Sequence, residues 1–171
     1  MKLFASLLTT MIIAGTIWGA VLMQPVMAES ASKTQKSTTY IRSVVTKTIS
    51  LDAVATLWGE FEDKLMKLED LPKTLDRLVV VYQNMNKNVS HATVTIGFPV
   101  EASTQKDGYI ELISSKHKQQ LLNRGEHNKT EIANAWKDID YRKPVKAVIE
   151  THYLNALGQE ESNQLVVHYN E

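Results

Sequence analysis

Residues 147–155, with the sequence AVIETHYLN, decide the fold of this chain. The run is rich in β-branched and aromatic residues, which is typical of a β-strand, but it carries a carboxylate at its centre. Successive side chains of a strand point to opposite faces, so Val148, Glu150, His152 and Leu154 are predicted to share one face. That face is either the solvent side of an antiparallel sheet or the floor of a cleft that holds Glu150.

The composition is that of a globular domain of ordinary size with an N-terminal extension. The chain has 171 residues, of which 43% are hydrophobic and 22% are charged. A formal net charge of zero argues against a broad surface for nucleic acid. The absence of cysteine excludes disulfides, thiolate catalysis and cysteine-based zinc sites, but it does not indicate the cellular compartment.

The N-terminus is predicted to direct export. Lys2 is the only charged residue before Glu29, and residues 3–23 form an apolar run broken only by Ser, Thr and Gly. Val26 and Ala28 are the small residues expected before a signal-peptidase site, so we expect cleavage after Ala28. The alternative is an uncleaved anchor, because the 21-residue run approaches the length that spans a bilayer.

Three segments follow from this pattern. Residues 1–28 are predicted to be a signal peptide or membrane anchor, 29–37 a polar linker, and 38–171 the folded domain. We therefore expect a bacterial protein that is periplasmic or secreted. If the first segment is retained, residues 3–23 would hold the protein at the inner membrane.

The folded part shows alternating strand and helix patterns. Strands are predicted at 39–51, 77–83, 92–98, 107–113, 147–155 and 164–169, with a possible further strand at 119–123. Apolar residues at helical spacing predict one helix over 54–69 and another that opens at Thr130. Asp52 is a candidate N-cap, and Pro99 is expected to end its strand or to place it at a sheet edge.

These elements suggest one strand–helix–strand–strand unit used twice. Residues 55–61 match 133–139 at an offset of 78, and 82–84 match 153–155 at an offset of 71. At the offset of 71, Val94, Ile96 and Phe98 fall on Leu165, Val167 and Tyr169, and Glu150 falls on Val79. The predicted fold class is α+β, in which a duplicated β-α-β-β unit forms an antiparallel sheet with two helices on one face and a central groove. Chance similarity of amphipathic segments is the alternative.

Four short stretches resemble the GyrI-like effector-binding domain family, a small-molecule-binding module also attached to AraC-type and MerR-type transcription regulators. They are residues 96–100, 123–125, 132–136 and 150–155, and the resemblance spans about residues 38–170. It implies a groove between two pseudo-symmetric halves that takes aromatic or cationic compounds, with the acidic residue of the family at Glu150. No helix-turn-helix is predicted before the domain, and the chain begins with a predicted export segment. A role in transcription is therefore not expected.

A ligand-binding site is predicted around this carboxylate. A partly buried carboxylate favours a ligand that supplies positive charge or hydrogen-bond donors, and aromatic walls add cation–π attraction. The candidate ligand-binding residues are Glu150, His152, Trp58, Trp136 and Tyr109. For the two Trp, core packing and a place in the wall are both open. For Tyr82, Tyr153 and Phe98 we favour core or surface positions.

Other chemistry has little support in the sequence. The five histidines lack zinc-ligand spacing, and there is no phosphate-binding loop or nucleophile elbow, so no metal, cofactor or catalytic residue is predicted. Residues 116–118 and 142–143 are short basic clusters expected to be solvated.

Three functions are therefore considered. The favoured function is binding of a small amphipathic or cationic molecule. The resemblance also implies hydrolysis of reactive small molecules, because some family members use an acidic residue and a tyrosine, so a hydrolase that uses Glu150 is an alternative. A structural or partner-binding envelope protein with a solvated Glu150 is the third possibility.

Overall fold

A computed structural model describes residues 39–69, 71–72, 74–100, 108–112 and 116–170 of the chain. The predicted signal or anchor and the linker lie outside these ranges, as do both ends of the strand predicted at 107–113. All described residues belong to one unit, Ser37–Glu171. Within the described ranges, no helix has the length and apolar character needed to cross a membrane.

The described residues form seven strands, β1 (Tyr40–Ser50), β2 (Arg77–Gln83), β3 (His91–Val100), β4 (Tyr109–Glu111), β5 (Lys118–Gly125), β6 (Val145–Leu154) and β7 (Glu160–Tyr169). They make one antiparallel sheet in the order β4-β1-β3-β2-β6-β7-β5. Two helices accompany them, α1 (Ala55–Leu65), which follows a 3-10 turn at Leu51–Ala53, and α2 (Lys129–Lys137). The predicted α+β class with an antiparallel sheet is confirmed, and the possible strand at 119–123 is β5.

The core lies mainly between the sheet and the two helices. Leu57 and Phe61 of α1, together with Ala135 of α2, join a buried cluster with inward-facing residues of β2, β3, β6 and β7. A smaller buried cluster lies on the opposite face and contains no residue from either helix. Both helices therefore cover the same face, and full burial of a Leu or Phe there contributes about 1.5–3 kcal/mol.

Strand β6 places its carboxylate on the helix side of the sheet. Val148 belongs to the helix-side cluster and Ile149 to the opposite one, so alternation puts Glu150 and His152 beneath the helices. Glu150 is only 9% exposed. The interpretation of this face as the solvent side of the sheet is therefore wrong.

The two helices begin in different ways. The first is preceded by the 3-10 turn, and no side chain caps its N-terminus, so the prediction of Asp52 as N-cap is wrong. It ends at Leu65, four residues before the predicted end. Helix α2 begins with a capping box, in which the Asn128 side chain accepts from the N–H groups of Thr130 and Glu131 and the Glu131 carboxylate accepts from the Asn128 N–H. This cap fixes the helix that carries Trp136.

Strand β3 continues through its proline, contrary to the prediction that Pro99 ends it or marks an edge. The strand is interior, between β1 and β2, and it runs to Val100. Pro99 lies beyond the last pair with β2, which is Gly97–Val79, so its missing N–H does not break that ladder. Gly97 is required by a close approach, because a Cβ there would lie 2.2 Å from the Arg42 carbonyl oxygen.

The cross-strand pairs do not follow the predicted offset of 71. Tyr82 belongs to the helix-side cluster, whereas its predicted counterpart Tyr153 lies on the other face of β6. Val94 pairs with Tyr82, and Leu165, its match at the offset of 71, pairs with Glu150. Val79, the match of Glu150 at the offset of 71, belongs to the cluster on the opposite face, so this offset joins residues from different faces of the sheet.

Candidate functional site

A concave surface of about 810 Å³, which we call the Glu150 pocket, lies beside the central strands. Tyr82 of β2 and Glu150 of β6 line it. The 3-10 turn and α2 supply most of its walls. The remaining lining residues are Leu51, Asp52, Val54, Val89, Lys129, Ile132, Ala133, Trp136, Lys137 and Tyr141. The pocket thus combines apolar walls, one buried carboxylate and a few charged groups that are exposed at its edge.

The Glu150 carboxylate has a different neighbour at each oxygen. The hydroxyl of Tyr82 donates to Oε2 at 3.0 Å. Nε2 of His152 lies 3.3 Å from Oε1, close enough for an ion pair. The angle between the two groups does not allow a hydrogen bond. Burial, and then the negative charge of Glu150, raise the pKa of Tyr82 well above its usual value, so this tyrosine is a neutral donor.

His152 lies between two carboxylates. Its Nδ1 is 3.0 Å from Oε2 of Glu160, whose other oxygen accepts from the amide of Asn163. Burial alone would lower the pKa of His152, but Glu150 and Glu160 outweigh that effect and raise it to about 9. Burial would likewise raise the pKa of Glu160, and the contact with His152 lowers it. His152 is therefore protonated at neutral pH, and the two carboxylates beside it compensate for its lost hydration.

Two tryptophans flank this polar row from opposite ends. Trp136 meets the Tyr82 ring edge to face, with centroids 4.9 Å apart. Trp58 meets the His152 ring in the same way at 5.2 Å and also contacts Phe61 at 5.7 Å. Trp136 lines the Glu150 pocket, whereas Trp58 packs behind it against His152.

The structure brings four of the five predicted site residues together. Glu150, His152, Trp58 and Trp136 form one contiguous group, as described above. Tyr109 is not part of it, because it lies on the edge strand β4, four strands from β6. At about 4.8 Å per strand this is roughly 19 Å from Glu150. Its ring contacts the Arg42 guanidinium, whose carbon is 5.4 Å from the ring centroid.

The other aromatic candidates behave largely as expected from the sequence. Phe98 is buried in the helix-side core, and Tyr153 lies on the opposite face, with the Arg124 guanidinium 4.0 Å from its ring centroid. Two contacts of the site were not foreseen, the hydrogen bond from Tyr82 and the ion pair between His152 and Glu160. Both depend on pairing between strands, for which the sequence carries no direct signal.

The chemistry available here is that of a buried carboxylate with free lone pairs next to an apolar wall. Among the described residues, no group of three or more His, Asp or Glu side chains could hold a metal ion. Comparison of the chain with family models, with curated proteins and with solved structures found no match. Functional conclusions therefore depend on the geometry of this site.

Proposed function

We propose that this chain is an exported small-molecule-binding protein whose amphipathic or cationic ligand lies in a groove between two pseudo-symmetric halves, with Glu150 as its polar anchor. One observation carries the proposal: a carboxylate that is only 9% exposed lines a pocket of about 810 Å³ with apolar walls. A buried carboxylate in such a place is costly unless it is paired, and a ligand donor can use the lone pairs that Tyr82 and His152 leave. The same burial weighs against an envelope protein with a solvated Glu150.

The order of the strands supports the duplicated scaffold. One half supplies β1, α1, β2 and β3, and the other supplies β5, α2, β6 and β7 in the same sequence. The strands are arranged as β1-β3-β2 followed by β6-β7-β5, so each half is the reverse of the other about the β2–β6 pair. In this arrangement Tyr82 and Glu150 occupy equivalent positions, and the duplicated unit, which also underlies the GyrI-like resemblance, would place its groove there.

The contacts of Glu150 narrow the ligand chemistry. Its charge is partly offset by protonated His152, so either a donor group or a positive charge on the ligand can complete the pairing. A cationic group of the ligand over the face of the Trp136 ring would add about 0.5–2 kcal/mol of cation–π attraction. The predicted ligand is thus an amphipathic aromatic compound with an amine, ammonium or N–H donor.

Binding can be tested by isothermal titration calorimetry with a panel of cationic aromatic dyes. We expect Glu150→Gln to weaken binding by about tenfold or more, because loss of a charge-assisted hydrogen bond costs about 1.5–3 kcal/mol. The matched control is Glu111→Gln, which removes an exposed carboxylate on β4. Equal affinities for wild type and Glu150→Gln would rule out the anchor role.

A hydrolase of reactive small molecules is the second candidate, and the Tyr82–Glu150 hydrogen bond favours it. In this step the Tyr82 hydroxyl would turn from Glu150 to the oxygen that leaves an electrophilic carbon, and Glu150 would accept a proton from the water that attacks that carbon. Turnover of epoxides and activated esters should then be lost in Tyr82→Phe while ligand binding is retained. Absence of turnover by wild type across both substrate classes would count against this function.

Export depends on residues 1–28 and has its own test. N-terminal sequencing of the protein purified from cells should begin at Glu29 if the signal is cleaved. A chain that keeps Met1 and sediments with membranes would instead support the anchor. A chain that keeps Met1 and stays in the cytoplasm would contradict export.

A further inference from the structure

A second concave surface, of about 410 Å³, lies where β5 begins and β7 ends. It shares no lining residue with the Glu150 pocket. Three separate segments build it, and backbone hydrogen bonds hold them together: the N–H of Tyr169 donates to the His117 carbonyl, and the N–H of Asn170 to the Pro144 carbonyl, both at 2.9 Å. The volume is within the range of about 300–1,000 Å³ that is usual for small-molecule sites. We call it the lysine pocket.

The lysine pocket is positively charged. Lys116, Lys118 and Lys143 line it, and none of the described lining residues is acidic. Asp140 lies 3.6 Å from the Lys143 ammonium, but it is also held by Arg142 at 2.8 Å. Residues 116–119 and 142–146 contain five Lys or Arg and no Asp or Glu, the third segment is followed by one acidic residue, Glu171, and the whole chain has a net charge of zero. The positive charge is therefore concentrated at this end of the sheet.

A neighbouring histidine responds to the same charge. His168 is buried on β7 and pairs with Lys118 across the β5–β7 ladder. Burial, and then the ammonium groups of Lys118 and Lys146, hold the pKa of His168 below its usual value. The lysines thus produce a positive potential that extends into the sheet. A bound anion would lower this potential.

We propose that the lysine pocket binds a phosphate-bearing anion. Lys116 and Lys118 are absent from the ion pairs found among the described residues, so their charges are available to a ligand. The side chain of Gln119 is held by Tyr169, whose hydroxyl donates to its Oε1 at 3.1 Å and leaves its amide N–H groups as donors. The Tyr169 ring lines the pocket, and the Lys143 ammonium lies 5.4 Å from the centroid of that ring. Ammonium groups as point charges suit phosphate oxygens.

The phosphate could belong to a lipid headgroup or to a soluble compound, and two assays separate these sources. The first is calorimetric titration of the full chain with inorganic pyrophosphate in chloride buffer. The second is co-sedimentation with vesicles of phosphatidylglycerol and phosphatidylcholine, compared with vesicles of phosphatidylcholine alone. Both are done on wild type, on Lys118→Gln/Lys143→Gln, and on the control Lys67→Gln/Lys87→Gln. The control removes the same charge from exposed positions outside the pocket.

We expect wild type to bind at least one probe and the pocket variant to bind it at least about tenfold more weakly, since each lysine next to an anionic group contributes measurably. The control should stay within about twofold of wild type, because distant exposed charges are screened. Retention on anionic vesicles without pyrophosphate binding would identify a lipid headgroup, and the reverse would identify a soluble phosphate. Equal losses in both variants, or no binding of either probe by wild type, would overturn the proposal.

Discussion

The hydroxyl of Tyr82 donates a 3.0 Å hydrogen bond to Oε2 of Glu150 between the two central strands of the sheet. Glu150 pairs with Val80, two residues before Tyr82, so the side chains meet diagonally on one face. Both residues are less than 10% exposed. In such surroundings a hydrogen bond to a charged group is strong, and leaving either partner unpaired is costly.

Removing this hydroxyl should destabilise the fold measurably. We expect Tyr82→Phe to lower the free energy of unfolding by about 1.5–3 kcal/mol, as for hydrogen bonds to charged groups. Urea denaturation followed by far-UV circular dichroism measures it. Tyr153→Phe is the matched control, because its hydroxyl donates to the neutral, part-buried side chain of Gln164. The control should lose only about 0.5–1.5 kcal/mol. Equal losses in the two variants would mean that the hydrogen bond to Glu150 stabilises the fold no more than a hydrogen bond between neutral groups.

Stability should fall as the pH rises through the titration of His152. Its pKa is about 9 in the folded protein and 6.5 in the unfolded chain, so protonation favours the folded state. The contribution is complete below pH 6.5 and is lost as the pH rises through about 9, and it amounts to roughly 3 kcal/mol at most. His168 acts with the opposite sign, since its lowered pKa removes stability only as the pH falls below 6.5.

Urea denaturation between pH 6 and pH 10 tests this dependence. His152→Gln should flatten the decline between pH 6.5 and 9, whereas His91→Gln, at an exposed position on β3, should leave it unchanged. An unchanged slope in His152→Gln would show that this histidine is not the group that titrates.

Two glycines should respond to alanine in opposite directions. Gly59 lies at an exposed position of α1, and nothing approaches the site of its missing Cβ within 4 Å, so Gly59→Ala should stabilise the protein by about 0.5–1 kcal/mol. Gly97→Ala would place its methyl 2.2 Å from the Arg42 carbonyl oxygen, so it should destabilise the protein by about 1–3 kcal/mol. Melting temperatures of both variants test the pair, and stabilisation by Gly97→Ala would contradict the close strand approach.

Strand positions with strong alternation were predictable, and pairings across strands were not. Strand β2 has its predicted bounds, Arg77–Gln83, because a β-branched run there is followed by a turn that begins at Asn84. The shared face of Glu150 and His152 also followed from alternation alone. A register, however, depends on loop lengths, and an error of one residue moves a side chain to the other face. The offset of 71 matched Tyr82 with Tyr153, which lies on the other face of the sheet.

The ion pair with Glu160 was missed for a related reason. Strand β7 begins at Glu160, four residues before its predicted start, and the register shifts between Tyr153 and Leu154. Neither feature leaves a periodic signal in the sequence, because bulges break alternation where they occur. Tyr109 was predicted to bind the ligand because it is aromatic. Its residue type carries no information on the strand order, which places β4 at the far edge of the sheet.

The two tryptophans of the site should report ligand binding differently. Trp136 lines the Glu150 pocket, whereas Trp58 packs against His152 and Phe61. We expect Trp136→Phe to remove most of the fluorescence change that a bound aromatic ligand produces, and Trp58→Phe to preserve it. Titration of both variants with one ligand makes the comparison. A change that persists in Trp136→Phe and disappears in Trp58→Phe would place the ligand on the other side of Glu150.

Cation binding should release a proton from His152. A cation next to Glu150 competes with the imidazolium 3.3 Å from the same carboxylate, so the bound state favours neutral histidine. The affinity for a quaternary ammonium ligand, which has no titrating proton of its own, should therefore rise from pH 7 towards pH 9, by at most about tenfold per pH unit. Calorimetry in two buffers with different ionisation enthalpies counts the released protons.

The controls separate the histidine from the ligand charge. His152→Gln should still bind the quaternary ligand, but with an affinity that does not depend on pH. An uncharged ligand of the same shape should bind wild type with a pH-independent affinity. A pH-independent affinity of wild type for the quaternary ligand would mean that the cation does not share the carboxylate with His152.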